Sequence, residues 1–251
     1  MKKRPTISVV IPTMDRYEIL KQSLPLILKY DFDEISVVDS SGPSQRYKNE
    51  ELCHRLGVKY YYKLGNREEA RNFGVEKAKG DWVSIRDDDI KLISLDMKTL
   101  REAMAKDCDF IHATAKCVWV FRKDFFLRMG GYDPKLCIGD DYDITYRAYK
   151  YGHPCKLPHS LGETGEFEKT VKMHWKGIFC YNLTLLLFFK KYPFLRVALI
   201  IPYRLLYFLR EVMQKRTKDD FIKFIVTVAG SFLSPLYLVN PKLFDKLLVH
   251  Y

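Results

Sequence analysis

The sequence has no C-x-x-C pair, no internal repeat and no low-complexity segment. Its six cysteines are scattered over 251 residues, which argues against a zinc site or a disulfide framework. We therefore expect reduced thiols. The basic N-terminus is followed by only a short apolar run, Ile7 to Ile11, so we also expect no signal peptide and a cytoplasmic protein.

A clean membrane span is also missing from the sequence. A long uncharged run, Phe224 to Asn240, contains Gly230 and Pro235, and it is shorter than the roughly 20 apolar residues that cross a bilayer. The other apolar runs after Gly177 are cut by charges, which indicates helices that lie on a surface instead.

The basic charge of the chain is concentrated in its last third. Of the net charge of +11, residues 169–251 carry +10, from ten Lys and four Arg against four acidic residues. The same segment is rich in Leu, Phe, Ile and Tyr, and interfacial helices combine these two features. We predict a helical, membrane-associating tail over residues 177–251 that binds an anionic membrane surface, and no nucleic acid. The alternative is a soluble helical subdomain that packs its apolar faces on itself or on a partner subunit.

Short apolar runs alternate with helical patterns in the first two-thirds of the chain. Strands are predicted at Ile7 to Ile11, Ile35 to Val38, Val58 to Tyr62 and Trp82 to Ile85, and helices at about Arg16 to Tyr30 and Glu68 to Ala78. This order predicts an α/β domain over residues 1–176 with a doubly wound, mostly parallel sheet. Ligands of such sheets bind beyond the carboxyl ends of the strands.

Three aspartates, Asp87, Asp88 and Asp89, follow the last of these strands directly. On extended backbone, residues i and i+2 face the same way, so Asp87 and Asp89 are expected to converge. Two converging carboxylates suit Mg²⁺ or Mn²⁺ bridged to a diphosphate. The alternative is a solvated acidic turn.

A second acidic group, Asp140 to Asp143, precedes a helix that Gly152 ends. Acidic residues in a first helical turn ordinarily complement the helix dipole. The same position would also keep a carboxylate ionised, as a general base requires.

Several short motifs share their order and spacing with one enzyme family, and together they resemble glycosyltransferase family 2 over roughly residues 6 to 190. The motifs are Ser8-Val9-Val10-Ile11-Pro12-Thr13, Val38-Asp39-Ser40-Ser41, Ala70-Arg71-Asn72-Phe73-Gly74, Gly80-Asp81-Trp82, Asp87-Asp88-Asp89, Gly130-Gly131-Tyr132-Asp133 and Gly139-Asp140-Asp141-Tyr142-Asp143-Ile144, with Arg147 and Gly152. The chain departs from the family pattern at Asp140, usually Glu, and at Arg86, usually Leu.

The resemblance implies an A-type glycosyltransferase fold and a role for each matching residue. Nucleotide-binding positions are matched by Pro12, Thr13, Asp39, Arg71 and Asp87. Asp87 and Asp89 match the D-x-D pair that holds the metal, and some relatives add a late histidine, which His174 would match. Asp141 matches the catalytic base.

The reaction implied is a single displacement with inversion at the anomeric carbon. The expected partners are a nucleotide-diphosphate sugar, with UDP favoured, and a lipid-linked or cell-surface glycan acceptor on the cytoplasmic face of the membrane. Trp119 and the Tyr60–Tyr62 run could stack on a sugar, or they could be buried structural aromatics.

Two other functions are compatible with parts of the sequence. A sugar nucleotidyltransferase would need a Gly-rich phosphate loop after the first strand, and Pro12 to Arg16 has no glycine. A non-catalytic basic adaptor would conflict with the acidic residues, which repel phosphate unless a metal is bound.

Overall fold

The structure is a computed structural model that describes residues 4–112, 119–136, 140–158, 160–167 and Lys191. The chain divides into two compact units. The first comprises residues 1–132 and 142–169, and the second comprises residues 133–141 and 170–251. The predicted domain boundary at residue 176 and the predicted tail, residues 177–251, lie outside the described residues apart from Lys191, and both stay predictions.

The described residues form eight strands and six helices. Along the chain these are β1 Ile7–Thr13, α1 Tyr17–Ile27, β2 Glu34–Asp39, α2 Pro43–Leu56, β3 Lys59–Tyr62, α3 Arg67–Lys77, β4 Trp82–Ile85, β5 Ile90–Leu95, α4 Met97–Met104, β6 Phe110–His112, β7 Trp119–Arg122, α5 Lys123–Arg128, α6 Asp140–Tyr151 and β8 Gly162–Glu166.

Six of the strands form one sheet in the order β3-β2-β1-β4-β7-β6. β1, β2, β3 and β4 are mutually parallel, and β7 runs antiparallel to both β4 and β6. β5 and β8 pair separately as an antiparallel ribbon. The prediction of a mostly parallel α/β sheet is confirmed.

Two hydrophobic clusters cover the two faces of the large sheet, because successive side chains of a strand point to opposite faces. Ile7, Val9 and Ile11 of β1 belong to one cluster, and Val10 belongs to the other. All seven residues of β1 are buried. This burial on both faces explains why β1 is an apolar run without alternation.

Helix α3 packs closely on the sheet because residue 74 is glycine. A Cβ atom there would lie 2.3 Å from Cγ1 of Val10 and 2.9 Å from Cγ2 of Val38. A capping box starts the helix: the Asn66 side chain accepts from the Glu69 backbone N–H, and the Glu69 side chain accepts from the Asn66 N–H. These local features hold the first turn of α3 at the carboxyl edge of the sheet.

The expectation that all cysteines are free thiols is wrong for Cys108 and Cys155, which form a disulfide with their Cα atoms 5.2 Å apart. Backbone pairing brings them together, since Phe110 bridges to Pro154 and accepts from the Cys155 N–H at 2.8 Å. Cys53 is buried and free. The scattered positions of the cysteines in the sequence are therefore no argument for a reducing compartment.

Candidate active site

The carboxyl ends of the central strands bring the predicted residues to one edge of the sheet. Thr13 pairs with Asp39 across β1 and β2, and Pro12 is buried beside them. The Ser40 N–H donates to the Thr13 carbonyl at 3.0 Å, so the loops after the two strands leave the sheet together. β4 ends in the same direction at Ile85, two residues before Asp87.

The acidic triplet forms a turn, so the extended geometry expected for it is wrong. The Ile90 N–H donates to the Asp87 carbonyl at 3.3 Å, and the chain turns at Asp88 and Asp89. As a consequence, Asp88 and Asp89 share one partner, Arg16, whereas Asp87 pairs with a different arginine. A metal role for Asp87 and Asp89 stays a prediction.

Asp88 is the most deeply held member of the triplet. Its carboxylate accepts from the Thr13 hydroxyl at 2.6 Å and from Arg16 at 3.0 Å. Burial raises the pKa of Asp88 to about 6 and Asp89 adds to this, although Arg16 and Thr13 act in the opposite direction. Asp88 thus ties the ends of β1 and β4 together.

Three arginines surround the triplet. Arg71 of α3 is buried and donates to Asp87. Burial raises the pKa of Asp87, but the charges of Arg71, Arg67 and Arg16 outweigh that effect, and the pKa lies below its ordinary value. The edge therefore pairs clustered anionic oxygens with clustered cations, a combination that suits a diphosphate and its counter-ion.

The donor chemistry of the triplet fits a divalent cation that is bound together with a substrate phosphate. The side chains of Asp87 and Asp89 are 28% and 22% exposed, so both can reach a ligand. Within the described ranges no group of three or more His, Cys, Asp or Glu side chains is arranged to hold a metal. Mg²⁺ sites commonly use one or two carboxylates and complete their shell with phosphate and water.

Asp39 is fully buried, and its carboxylate organises the loop after β2. It accepts from the Ser41 N–H at 2.8 Å, from the Asn49 amide at 2.9 Å and from the Tyr60 hydroxyl at 2.9 Å. Tyr60 is thereby assigned a structural role. Contact between Asp39 and a nucleotide stays a prediction.

The loop after β1 contains a backbone feature that the sequence did not reveal. Asp15 has a φ of +54°, in the left-handed region that Asp tolerates better than most residues. Its N–H donates to the Ser41 hydroxyl at 2.7 Å, and its carboxylate accepts from the Gly42 N–H at 3.0 Å. The turn at Asp15 directs Arg16 back toward the acidic triplet.

Two motifs far apart in sequence meet beside Arg71. The Asn72 amide donates to the Tyr132 carbonyl and accepts from its N–H, both at 2.8 Å. The Arg71 guanidinium lies 4.7 Å from the centre of the Tyr132 ring. Gly131 has a φ of +62°, and a Cβ atom there would lie 2.4 Å from the Asn72 side-chain oxygen. The Gly130-Gly131-Tyr132 turn therefore positions Arg71.

The acidic group at the start of α6 separates into different environments. Asp143 is buried and pairs with Arg147, which donates to the carbonyls of Met129 at 2.8 Å and Gly131 at 2.6 Å. Asp143 is thus part of the scaffold that holds the glycine turn. Asp141, the predicted base, is exposed in the first helical turn. Its catalytic role stays a prediction.

Two remaining predictions fall on different parts of the chain. His174 lies outside the described residues, and its role as a metal ligand stays a prediction. Arg86 is buried at the end of β4, with its guanidinium 5.8 Å from the centre of the Phe32 ring.

Among the described helices, none is both long and apolar enough to cross a membrane.

Comparison with known proteins identifies the family and the fold. Residues 8–130 match the family described as Glycosyl transferase family 2. A curated relative, the GalNAc(5)-diNAcBac-PP-undecaprenol beta-1,3-glucosyltransferase of Campylobacter jejuni, is 24% identical over 122 residues. That match covers 45% of this chain and 38% of the relative, so the chain spans well under half of the relative's length.

Solved structures share the fold at low sequence identity. The mannosyltransferase PcManGT from Pyrobaculum calidifontis, in complex with GDP-Man and Mn²⁺, has a TM-score of 0.57 and 14% identity, covering 99% of this chain and 85% of that chain. S. aureus TarS in complex with UDP-GlcNAc has a TM-score of 0.52 and 16% identity, covering 72% of this chain and 66% of that chain. The A-type glycosyltransferase fold is confirmed.

Proposed function

Because this chain belongs to glycosyltransferase family 2 through residues 8–130, we propose that it transfers a sugar from a nucleotide-diphosphate donor to an acceptor hydroxyl with inversion. The observation that carries the proposal is the acidic triplet at the end of β4, with Arg16, Arg67 and Arg71 around it. A donor diphosphate needs both kinds of charge, since cations bind its oxygens and carboxylates hold its counter-ion.

The donor site lies at the ends of β1 and β2 in this proposal. Thr13 and Asp39 bind the base and ribose region, and Arg71 binds near the diphosphate. UDP is the favoured nucleotide. S. aureus TarS was solved with UDP-GlcNAc and PcManGT with GDP-Man. These complexes support a nucleotide sugar as the donor.

Asp87 and Asp89 would hold Mn²⁺ or Mg²⁺, with His174 as a further ligand. The ion would supply charge that stabilises the departing diphosphate. The exposure of both carboxylates supports this assignment.

Asp141 is the proposed general base. It accepts the proton of the acceptor hydroxyl while that oxygen forms a bond to the anomeric carbon. The bond from the anomeric carbon to the diphosphate oxygen breaks on the opposite face, and the nucleoside diphosphate leaves with the electron pair. The helix N-terminus favours the ionised carboxylate that this step requires.

The proposed acceptor is a lipid-linked glycan at the cytoplasmic face of the membrane. The Campylobacter relative is named for an undecaprenol-linked substrate, which supports this class of acceptor. The basic, apolar segment 177–251 would hold the enzyme at the anionic surface where such an acceptor resides.

Release of nucleoside diphosphate from a panel of UDP- and GDP-sugars tests the proposal, with Mn²⁺, with Mg²⁺ and with EDTA. Without an acceptor, we expect slow hydrolysis of the donor that needs a divalent ion. A polyprenyl-diphosphate-linked N-acetylhexosamine should accelerate the release of nucleoside diphosphate, because it accepts the sugar. The product linkage, determined by NMR, should show the anomer opposite to the donor. No metal-dependent release from any donor would contradict the proposal.

A further inference from the structure

An aromatic cluster lies on the far side of the acidic triplet from the expected nucleotide. It consists of His112 at the end of β6, Trp119 at the start of β7 and Tyr149 of α6. The His112 ring stacks on Trp119 with ring centres 3.9 Å apart and planes within 10°. The Tyr149 hydroxyl lies 3.0 Å from Nδ1 of His112.

Strand register puts this aromatic cluster at the same edge of the sheet as the triplet. Trp119 pairs with Ile85, the last residue of β4, and His112 pairs with Trp119. Strands of a sheet are spaced by about 4.8 Å, so the end of β6 lies roughly 10 Å from the end of β4. A glycan that reaches the triplet from this side can span that separation.

The strand order fixes the relation between the cluster and the donor. The order β3-β2-β1-β4-β7-β6 places Thr13 and Asp39 on one side of β4 and the aromatic cluster on the other. An acceptor in a single displacement attacks from the face opposite to the leaving nucleoside diphosphate. The side of β4 away from the nucleotide is therefore the side that an acceptor approaches.

The cluster has the surface chemistry of a sugar-binding site. Phe110 and Phe121 continue the aromatic row into the core and are fully buried, whereas His112 and Tyr149 are exposed. Pyranose rings present a face of C–H groups with hydroxyls around it, and they bind aromatic surfaces that carry hydrogen-bonding groups. Partial burial of the imidazole lowers the pKa of His112, which favours the neutral ring.

We propose that His112, Trp119 and Tyr149 form the subsite for a pyranose ring of the acceptor glycan. The assignment rests on the proposed function, because it names the acceptor side of that same site. Trp119 supplies the supporting ring, and the bonded pair of His112 and Tyr149 supplies the exposed surface and its polar groups.

The variants H112A, Y149A and Y149F test this subsite, with Y151A as the matched control. Tyr151 is 62% exposed on the same helix and makes a ring contact only to Lys150 among the described residues. Saturation-transfer NMR with the methyl glycosides of glucose, galactose, N-acetylglucosamine and N-acetylgalactosamine measures binding without any transfer. We expect at least one glycoside to bind the wild type and Y151A, with about five- to tenfold weaker binding to H112A and Y149A.

A transfer assay separates the acceptor from the donor. We expect the acceptor KM to rise about five- to tenfold in H112A and Y149A, less in Y149F, and the KM for donor hydrolysis to change by less than about twofold. Unfolding midpoints identify any variant whose loss is structural, and Y149F removes only one hydroxyl.

Distinct outcomes contradict the subsite and the proposed function. Absence of glycoside binding to the wild type, equal binding to all variants, or a rise in donor KM alone would overturn the subsite. Glycoside binding that depends on His112 and Tyr149 in a chain that transfers no sugar would keep the subsite and overturn the proposed function.

Discussion

Arg16 contacts two carboxylates that have different tasks. It donates to Asp88 at 3.0 Å and lies 3.4 Å from Asp89. Asp88 is buried and also bonded to Thr13, so it acts as structural support for the turn. Asp89 is the accessible partner, and a cation bound by Asp89 would compete with Arg16 for the same oxygen. The difference in exposure thus distinguishes Asp88, which supports the turn, from Asp89, which is a candidate metal ligand.

Replacement of Asp89 by alanine tests this separation. We expect D89A to weaken the dependence of donor hydrolysis on Mn²⁺ and to bind the donor about tenfold or more weakly, because loss of one of the two carboxylate ligands weakens the binding of a diphosphate-bound cation. Isothermal titration with UDP and Mn²⁺ measures the loss. D107A removes an exposed aspartate after α4 and should titrate like the wild type. An unchanged Mn²⁺ titration of D89A would remove Asp89 from the site.

The exposed Asp141 and the buried Asp143 allow a matched pair of variants. We expect D141N to lower kcat by about 10²- to 10⁴-fold with nucleotide affinity nearly intact, because the amide keeps the shape but cannot accept a proton. We expect D143N to lower the unfolding temperature instead, since Arg147 loses its buried counter-charge. Normal turnover by D141N would reassign the base, with Asp140 next in line.

At the scale of elements, the sequence predicted the strands whose burial leaves a continuous apolar run. β1 and β4 were found this way, and α3 was found within one residue at each end. Helix α2 was missed because its buried residues, Asn49, Leu52 and Cys53, are few and partly polar, so no clear helical period arises. β6 has three residues, too few to show any period.

The sequence pattern alone could place only residues at or just beyond strand ends, such as Thr13 and the acidic triplet. Arg71 and Asp141 lie in helices and were predicted only through the family resemblance. The contacts of Arg16 with Asp88 and of Asn72 with Tyr132 depend on loops that converge in three dimensions, and no spacing in the sequence reveals them. The local turn at Asp88 likewise replaced the extended geometry on which the convergence of the triplet was predicted.

The amino ends of the parallel strands are joined through one carboxylate, Glu34 of β2. Glu34 accepts from the Ser8 hydroxyl, from Lys59 of β3 and from the Lys79 N–H at 2.7 Å. Burial raises the pKa of Glu34, but these donors outweigh it, and the pKa lies below its ordinary value of 4.5. The ionised carboxylate therefore stabilises the sheet.

The lowered pKa of Glu34 predicts the pH dependence of stability. The folded state holds this carboxylate ionised more strongly than the unfolded state, so its contribution is complete above about pH 4.5 and is lost as the pH falls through the folded-state pKa. We expect E34Q to lower the free energy of unfolding by about 1–3 kcal/mol at pH 7. The difference between E34Q and wild type should narrow toward pH 3, measured by urea denaturation.

The exposed Glu51 of α2 supplies the control for this comparison. E51Q should unfold within about 0.5 kcal/mol of the wild type at every pH. A difference between E34Q and wild type that stays constant from pH 7 to pH 3 would exclude the ionised Glu34 as the cause.

At the scale of the whole molecule, the net charge is distributed unevenly between the first two-thirds of the sequence and the predicted tail. Residues 1–168 carry a net charge of only +1, whereas residues 169–251 carry +10. In the tail, Leu205, Leu206, Phe208 and Leu209 are flanked by Arg204 and Arg210. Apolar residues beside basic ones suit a helix that lies in an anionic membrane interface.

Flotation with vesicles tests whether the tail binds the membrane. The full-length chain should float with phosphatidylglycerol-containing vesicles at low salt and remain behind with phosphatidylcholine alone. A chain truncated after Lys176 should not float. Each Lys or Arg near an anionic surface contributes on the order of 1 kcal/mol, so the full-length double variant R204Q/R210Q should partition about thirtyfold more weakly. K29Q/K106Q changes the charge equally at exposed sites of the first unit and should float like the wild type.

Two outcomes would contradict membrane binding by the tail: a full-length chain that stays soluble at low salt, or a truncated chain that floats equally well. The apolar faces of the tail would then pack on protein, and its basic residues would form the solvated face.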